Sequence, residues 1–162
     1  MMNYFLSTIC LFFIFSDTCS QSLETKLLGK WKLARDEGFE FFINAPESQN
    51  QPTDQQEAFF ELMERFHNQS FKNFFSLHSM TSTVLDGKNI LQEKSIWNLR
   101  EADSVITWTS QFQPKVLQAK IIKLTENELI LTYLLQDQTL GRFKTHYEKV
   151  IDESPLKEKS PR

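Results

Sequence analysis

From Lys88 to Val150, short runs with an apolar residue at every second position alternate with clusters of turn-forming residues, and this pattern constrains the chain more than any other. A period of two belongs to strands whose alternate side chains face a core. Ser95, Trp97 and Leu99 fall on one face of such a run, with Lys94, Asn98 and Arg100 on the other. Ile106 and Trp108 share a face of Val105 to Thr109, Val116 to Leu124 follows Pro114, and Leu129, Leu131, Tyr133 and Leu135 line one side of Leu129 to Gln136. Leu140 to Val150 is the last run. The connections, Glu101 to Ser104, Glu126-Asn127-Glu128 and Asp137 to Thr139, are tight, so successive strands are antiparallel neighbours. A meander of this kind exposes hydrogen-bonding edges unless it closes, and closure into a barrel removes them.

The N-terminal half supplies the remaining strands. Lys30 to Arg35 and Phe39 to Ile43 read as the first two, joined by an Asp36-Glu37-Gly38 turn. Asn44 to Thr53, rich in Pro, Gln, Asn and Ser, reads as a surface loop. Thr53 with Gln56 has the form of a capping box, and Phe59, Leu62, Met63 and Phe66 recur at helical spacing, which predicts one amphipathic helix over 54–67. Phe71 to Leu85 is apolar enough for one strand or two, giving eight or nine in all, and Asp86-Gly87 suits the turn back into the meander.

Both ends of the chain lie outside this pattern. Phe5 to Phe15 is an almost unbroken apolar run followed by the polar Ser16-Asp17-Thr18-Cys19-Ser20, which is signal-peptide anatomy over 1–20 even though Met1 to Tyr4 carries no Lys or Arg. The run is about half the ~20 apolar residues that a stable bilayer-spanning helix needs. Two readings of the cleavage point stand. Thr18 and Ser20 occupy the small-residue positions of an ordinary site, releasing a chain that begins at Gln21. Alternatively, Cys19 is the lipid-bearing first residue of a bacterial lipoprotein, anchoring the protein to an envelope membrane. Either predicts an exported protein, periplasmic or extracellular. Removal leaves about 140 of the 162 residues, one domain over 21–151, with a charged, proline-containing tail over 152–162. Cys10 and Cys19 lie within or at the edge of the signal, so no disulfide is expected and the core alone must hold the fold.

Chemistry is conspicuous mainly by its scarcity. The net charge is −3, and Lys and Arg form no basic face, so nothing recommends a nucleic-acid partner. His67, His78 and His146 share neither spacing nor neighbours, no metal site is expected, and no cofactor is implied. There is no His-Glu-x-x-His helix, no Gly-x-Ser-x-Gly elbow and no phosphate-binding glycine loop. Glu37, Glu40, Glu57, Glu61 and Glu64 read as surface charge. The expectation is therefore a protein that is not an enzyme. Asn68-Gln69-Ser70 and Asp103-Ser104-Val105 have the form of glycosylation acceptors, but both are short enough to arise by chance, and neither is assigned a role.

Three segments carry a resemblance. Leu28-Gly29-Lys30-Trp31-Lys32-Leu33 places a Gly-x-Trp step in the first strand after the signal, Ile96-Trp97-Asn98-Leu99 lies mid-chain, and Ile122-Lys123-Leu124-Thr125-Glu126-Asn127-Glu128-Leu129-Ile130-Leu131-Thr132-Tyr133 is near the end. Together they resemble exported bacterial lipocalin-like domains of the calycin group. The resemblance implies an all-β, antiparallel up-and-down barrel of about eight strands with the helix as an insert, and it implies function only weakly. It would place Trp31 at the barrel floor and Trp97, Leu99, Trp108, Leu131 and Tyr133 on the walls, with Phe59, Leu62, Met63 and Phe66 as a lid.

Along the last strand, Phe143, Thr145, Tyr147 and Lys149 share the inner face and Arg142, Lys144, His146 and Glu148 the outer one. With an even number of strands, Lys149 ends beside Trp31. There it either stacks on the ring, a cation–π contact of about 0.5 to 2 kcal/mol, or snorkels to water. Lipocalins commonly place an Arg against that Trp, so the match is partial. Two functions follow: binding of a small apolar molecule inside the barrel, or a filled barrel acting as an envelope interaction module, because an eight-strand interior only just accommodates its side chains.

Overall fold

The structure, a computed structural model, describes residues 22–46, 53–76, 78–110 and 115–151. The expected signal peptide with Cys19, the 152–162 tail and the Thr53 side chain lie outside the described residues. The elements are α1 (Leu23–Leu27), β1 (Gly29–Asp36), α2 (Glu37–Ile43), α3 (Thr53–Gln69), β2 (Phe71–Ser76), β3 (Ser79–Asp86), β4 (Asn89–Arg100), β5 (Val105–Thr109), β6 (Val116–Leu124), β7 (Glu128–Leu134) and β8 (Leu140–Lys149). Each strand pairs antiparallel with its neighbours in sequence, and β1 also pairs with β8, so the eight strands close into a barrel. No described helix is long and apolar enough to cross a membrane.

Local chemistry sets the turns. Gly87 has φ 59° in the two-residue loop of the β3–β4 hairpin, where Asp86 faces Asn89, and a residue without Cβ adopts that conformation at little cost. Between β6 and β7 the Thr125 hydroxyl accepts the Glu128 N–H at 3.0 Å. Between β7 and β8 the Asp137 carboxylate accepts from both the backbone and the hydroxyl of Thr139, at 3.0 and 2.7 Å. These side-chain bonds replace the ladder bonds that each reversal interrupts.

The segment expected as a second strand, Phe39 to Ile43, is instead part of helix α2. Its start is set by Asp36, whose carboxylate accepts the Phe39 N–H at 3.0 Å and so caps an otherwise unsatisfied helix donor. Glu37 and Glu40 place negative charge in the first turn, where the helix dipole favours it. Arg35 then grips Glu40 through two bonds of 2.7 and 2.6 Å, and the Asn44 side chain closes the far end on the Glu40 carbonyl at 2.7 Å. Glu40 thus sits on a helix rather than on a strand's polar face. The barrel keeps eight strands because 71–85 divides into β2 and most of β3, and it carries two inserted helices where one was expected.

Because β1 runs from α1 to α2, α1 lies at one end of the barrel and α2 and α3 leave from the other. Helix α3 packs against β1 and β3, on either side of the short β2. Its end is stitched down by three bonds: Leu33 N to the Ser70 carbonyl at 2.9 Å, the Thr83 hydroxyl to the Gln69 carbonyl at 3.0 Å, and Phe71 N to the Thr83 hydroxyl at 3.2 Å. Helix α2 rests on β8, with the Phe41 and Phe143 rings 5.2 Å apart, and meets α3 through Phe42 and Phe59, also 5.2 Å apart.

Candidate ligand-binding interior

The α1 end of the barrel is a packed floor. Trp31 and Leu27 are fully buried, and the Trp31 indole N–H donates to the Leu27 carbonyl at 2.7 Å, satisfying an acceptor at the end of α1. Lys149 lies directly opposite Trp31 in the β1–β8 pairing, with its ammonium 5.0 Å from the ring centroid and 3.4 Å from the Lys26 carbonyl. A cation here serves two purposes, facing the π cloud and answering the negative end of the short helix. Gly29 makes room for it. Its φ of 119° disfavours any side chain, and a Cβ would come within 2.9 Å of Lys149 Cε. The Gly-x-Trp step is thus the backbone clearance that lets the lysine cross the floor.

Above it, Trp97 is fully buried, edge-on to Phe74 with centroids 5.1 Å apart, and its indole N–H donates to the Ser76 carbonyl at 3.0 Å. Met80, Ile106, Leu129 and Leu131 complete the same core. Leu99 and Tyr133 are partly buried against it, and Trp108 is buried, edge-on to Tyr133 at 5.8 Å. Trp31 on the floor and the five residues expected on the walls therefore all belong to the core or pack against it. On α3, Leu62, Met63 and Phe66 are half-buried and Phe59 is exposed, along the flank formed by β1 and β3.

The alternation did not reveal a polar stretch on the inner wall. Lys72 stands opposite Ser82, Ser82 opposite Glu93, and Met80 opposite Ser95, so these side chains continue one another across β2, β3 and β4. All are buried, with Lys72 at 6% and Glu93 at 2% exposure. The Ser110 hydroxyl, at the end of β5, donates to Glu93 Oε2 at 2.9 Å. Ser95 Oγ has no hydrogen-bond partner among the described residues. Lys72 extends its ammonium over the Trp108 ring, 4.4 Å from the centroid. On β4 the alternation already set Ser95 beside Trp97 and Leu99, which leaves Ile96 outward at 67% exposure, but on β2, where adjacent aromatics blur the period, Phe75 is 55% exposed while Lys72 turns in.

Two titrating features frame the interior. Burial first, then the neighbouring Tyr133 and the Asp36 carboxylate, push the Tyr147 hydroxyl well above its ordinary 10.0, keeping it neutral. On the outside, Glu37 anchors α2 to β8, accepting the Lys144 N–H at 3.0 Å and meeting His146 Nε2 at 3.2 Å. The Lys144 N–H, then His146, hold its carboxyl below the ordinary 4.5, and Arg35 does the same for Glu40. A carboxyl whose folded pKa is depressed contributes stability above its unfolded value that is lost as pH falls through the folded one. Acidification from about pH 6 to about pH 3 is therefore expected to loosen α2 from β8, seen as faster exchange of the Lys144 amide. Glu37→Gln should shift that midpoint upward or abolish the transition. An unchanged midpoint would show that Glu37 does not carry the transition and would point to the Arg35–Glu40 pair instead.

No family model matches the chain, and no curated protein matches it either. Among solved structures, a point mutant of the fluorescent protein UnaG is similar at 13% identity, over 79% of this chain and 99% of that one, with a TM-score of 0.36. So distant a likeness carries no argument about function. The strand pairing itself makes this a closed, eight-stranded up-and-down barrel, with an aromatic floor and a partly polar inner wall.

Proposed function

We propose that this protein is an exported, non-enzymatic container that holds one small, largely apolar molecule inside the barrel. The observation that carries the reading is the interior itself. A barrel that served only as a filled support gains nothing from burying Lys72 and Ser95 on its inner wall, because each buried polar group without a good partner costs free energy. A ligand with a polar end answers such groups, while Trp108, Leu117 and Tyr133 offer an apolar surface beside them. Export rests on the apolar and polar segments of 1–20, with either a free start at Gln21 or an acylated Cys19.

The alternative, an interaction module of the cell envelope, is favoured by one feature. Phe41 and Phe42 stay exposed on α2 beside the Arg142 guanidinium, which stacks 4.9 Å from the Phe41 ring. Native mass spectrometry of the protein purified from its own cells separates the two. The container reading expects a noncovalent adduct of small mass that is lost on unfolding. A bare protein mass from gently prepared material would transfer the weight to the interaction module. The same spectrum reads the N-terminus and so decides between Gln21 and a lipidated Cys19.

A further inference from the structure

We infer that Lys72 reads a negative charge on the bound molecule, so that the ligand is an amphiphile with an apolar body and one carboxylate end. This rests on the container reading and narrows it to a chemical class. Lys72 is only 6% exposed, yet among the described residues no carboxylate lies within 4.0 Å of its ammonium and no hydrogen-bond acceptor is paired with it. Trp31 stands opposite it on β1, and among the described residues the ring its ammonium lies over is that of Trp108, at 4.4 Å.

A π face offsets only part of the cost of taking an ammonium out of water, and it makes no hydrogen bond with directed lone pairs. The group is held pointing into the barrel with its donors unspent. The other charges nearby are committed elsewhere. Glu93 lies two strands away, roughly 10 Å by strand spacing, and accepts from Ser110. Lys149 is spent on Trp31 and the Lys26 carbonyl.

The surroundings fit a carboxylate better than a bulkier or more highly charged anion. Ser82 is the cross-strand neighbour of Lys72, so a hydroxyl donor stands next to it on one side, and Ser95, the next inward residue after Glu93, adds a second farther along the wall. On the other side the Trp108 and Tyr133 rings set an apolar boundary. The Glu93 carboxylate at the far edge of the polar stretch repels a second negative charge. One charge at Lys72, and an apolar body against the aromatic pair, is the arrangement that satisfies every group on this wall.

The test compares matched acids and alcohols: dodecanoate against dodecanol, and 1-naphthoate against 1-naphthol, each titrated into the full chain at neutral pH and followed calorimetrically. An aliphatic and an aromatic pair are used because both bodies suit the same charge site, and the better pair tells which. The wild-type protein is expected to prefer the acid by about tenfold or more, the worth of one charge-assisted hydrogen bond in a buried site. Lys72→Met keeps the length of the side chain without its charge, and should remove the difference between acid and alcohol. Lys72→Gln serves the same purpose should the Met variant fail to fold. An alcohol that binds the wild-type protein as tightly as its acid overturns the inference and leaves the container reading standing. If no member of either pair binds, the container reading falls and the inference with it.

Discussion

Trp31→Ala is expected to lower the free energy of unfolding by about 4 to 7 kcal/mol, the largest loss from any single side chain in this barrel. About 3 to 5 of that is the cavity left by a fully buried indole, and the rest comes from the Leu27 carbonyl. That oxygen belongs to a residue with no exposed surface and takes its hydrogen bond from the indole at 2.7 Å, so truncation strands it. Lys149 loses the ring it stacks on at the same time. Because whole domains are stable by only about 5 to 15 kcal/mol, the variant is expected to stand near its unfolding threshold at room temperature. Urea denaturation measures the total, and amide exchange over Leu23–Leu27 shows whether α1 has come away from the floor. Trp31→Phe keeps a six-membered ring while removing the donor together with the rest of the indole, so its smaller cost sets an upper limit on the worth of the bond. A loss below about 2 kcal/mol for the Ala variant would mean that the floor collapses around the gap and that α1 is held by other contacts.

Trp97→Ala should cost about 3 to 5 kcal/mol, for a different balance of reasons. Its indole also donates to a carbonyl, but that of Ser76 lies at an exposed hairpin end where water can replace the bond. The penalty is then nearly all cavity, shared with Phe74, which loses its edge-on partner at 5.1 Å. The functional readout matters more than the size of the loss. If the space beside Trp108 and Tyr133 holds a ligand, removing Trp97 from the β4 position paired with Trp108 enlarges that space and changes the affinity for dodecanol. Destabilisation with no effect on probe uptake would assign Trp97 to a closed core and favour the filled barrel.

Much of the architecture was legible because strand alternation and turn chemistry are local. From β4 to β8, Trp97, Leu99, Ile106, Trp108, Leu131, Tyr133 and Tyr147 fall on the inner face in register with their alternation, and the tight turns around Glu126 and Asp137 lie between the strands they were expected to join. The α3 helix was legible from the spacing of Phe59, Leu62, Met63 and Phe66, and runs from Thr53 to Gln69 against the expected 54–67. What misled was Phe39 to Ile43. Its alternating apolar residues suit a strand, and the deciding groups lie outside it: the Asp36 cap, the Arg35 clamp on Glu40 and the Asn44 closure.

The sequence by itself determined that this chain is an antiparallel meander that must close, because exposed strand edges and half-apolar faces leave few other stable outcomes. It also placed Lys149 on the inner face of the last strand, since alternation along ten residues is a local property. Only the tertiary structure decided that Lys72, Ser82 and Glu93 turn inward while Phe75 turns out. That choice depends on register with neighbouring strands, where a shift of one residue exchanges every side chain between wall and solvent. The pairing of β1 with both β2 and β8 closes the barrel, and its pairing with β8 aligns residues more than a hundred positions apart in the chain.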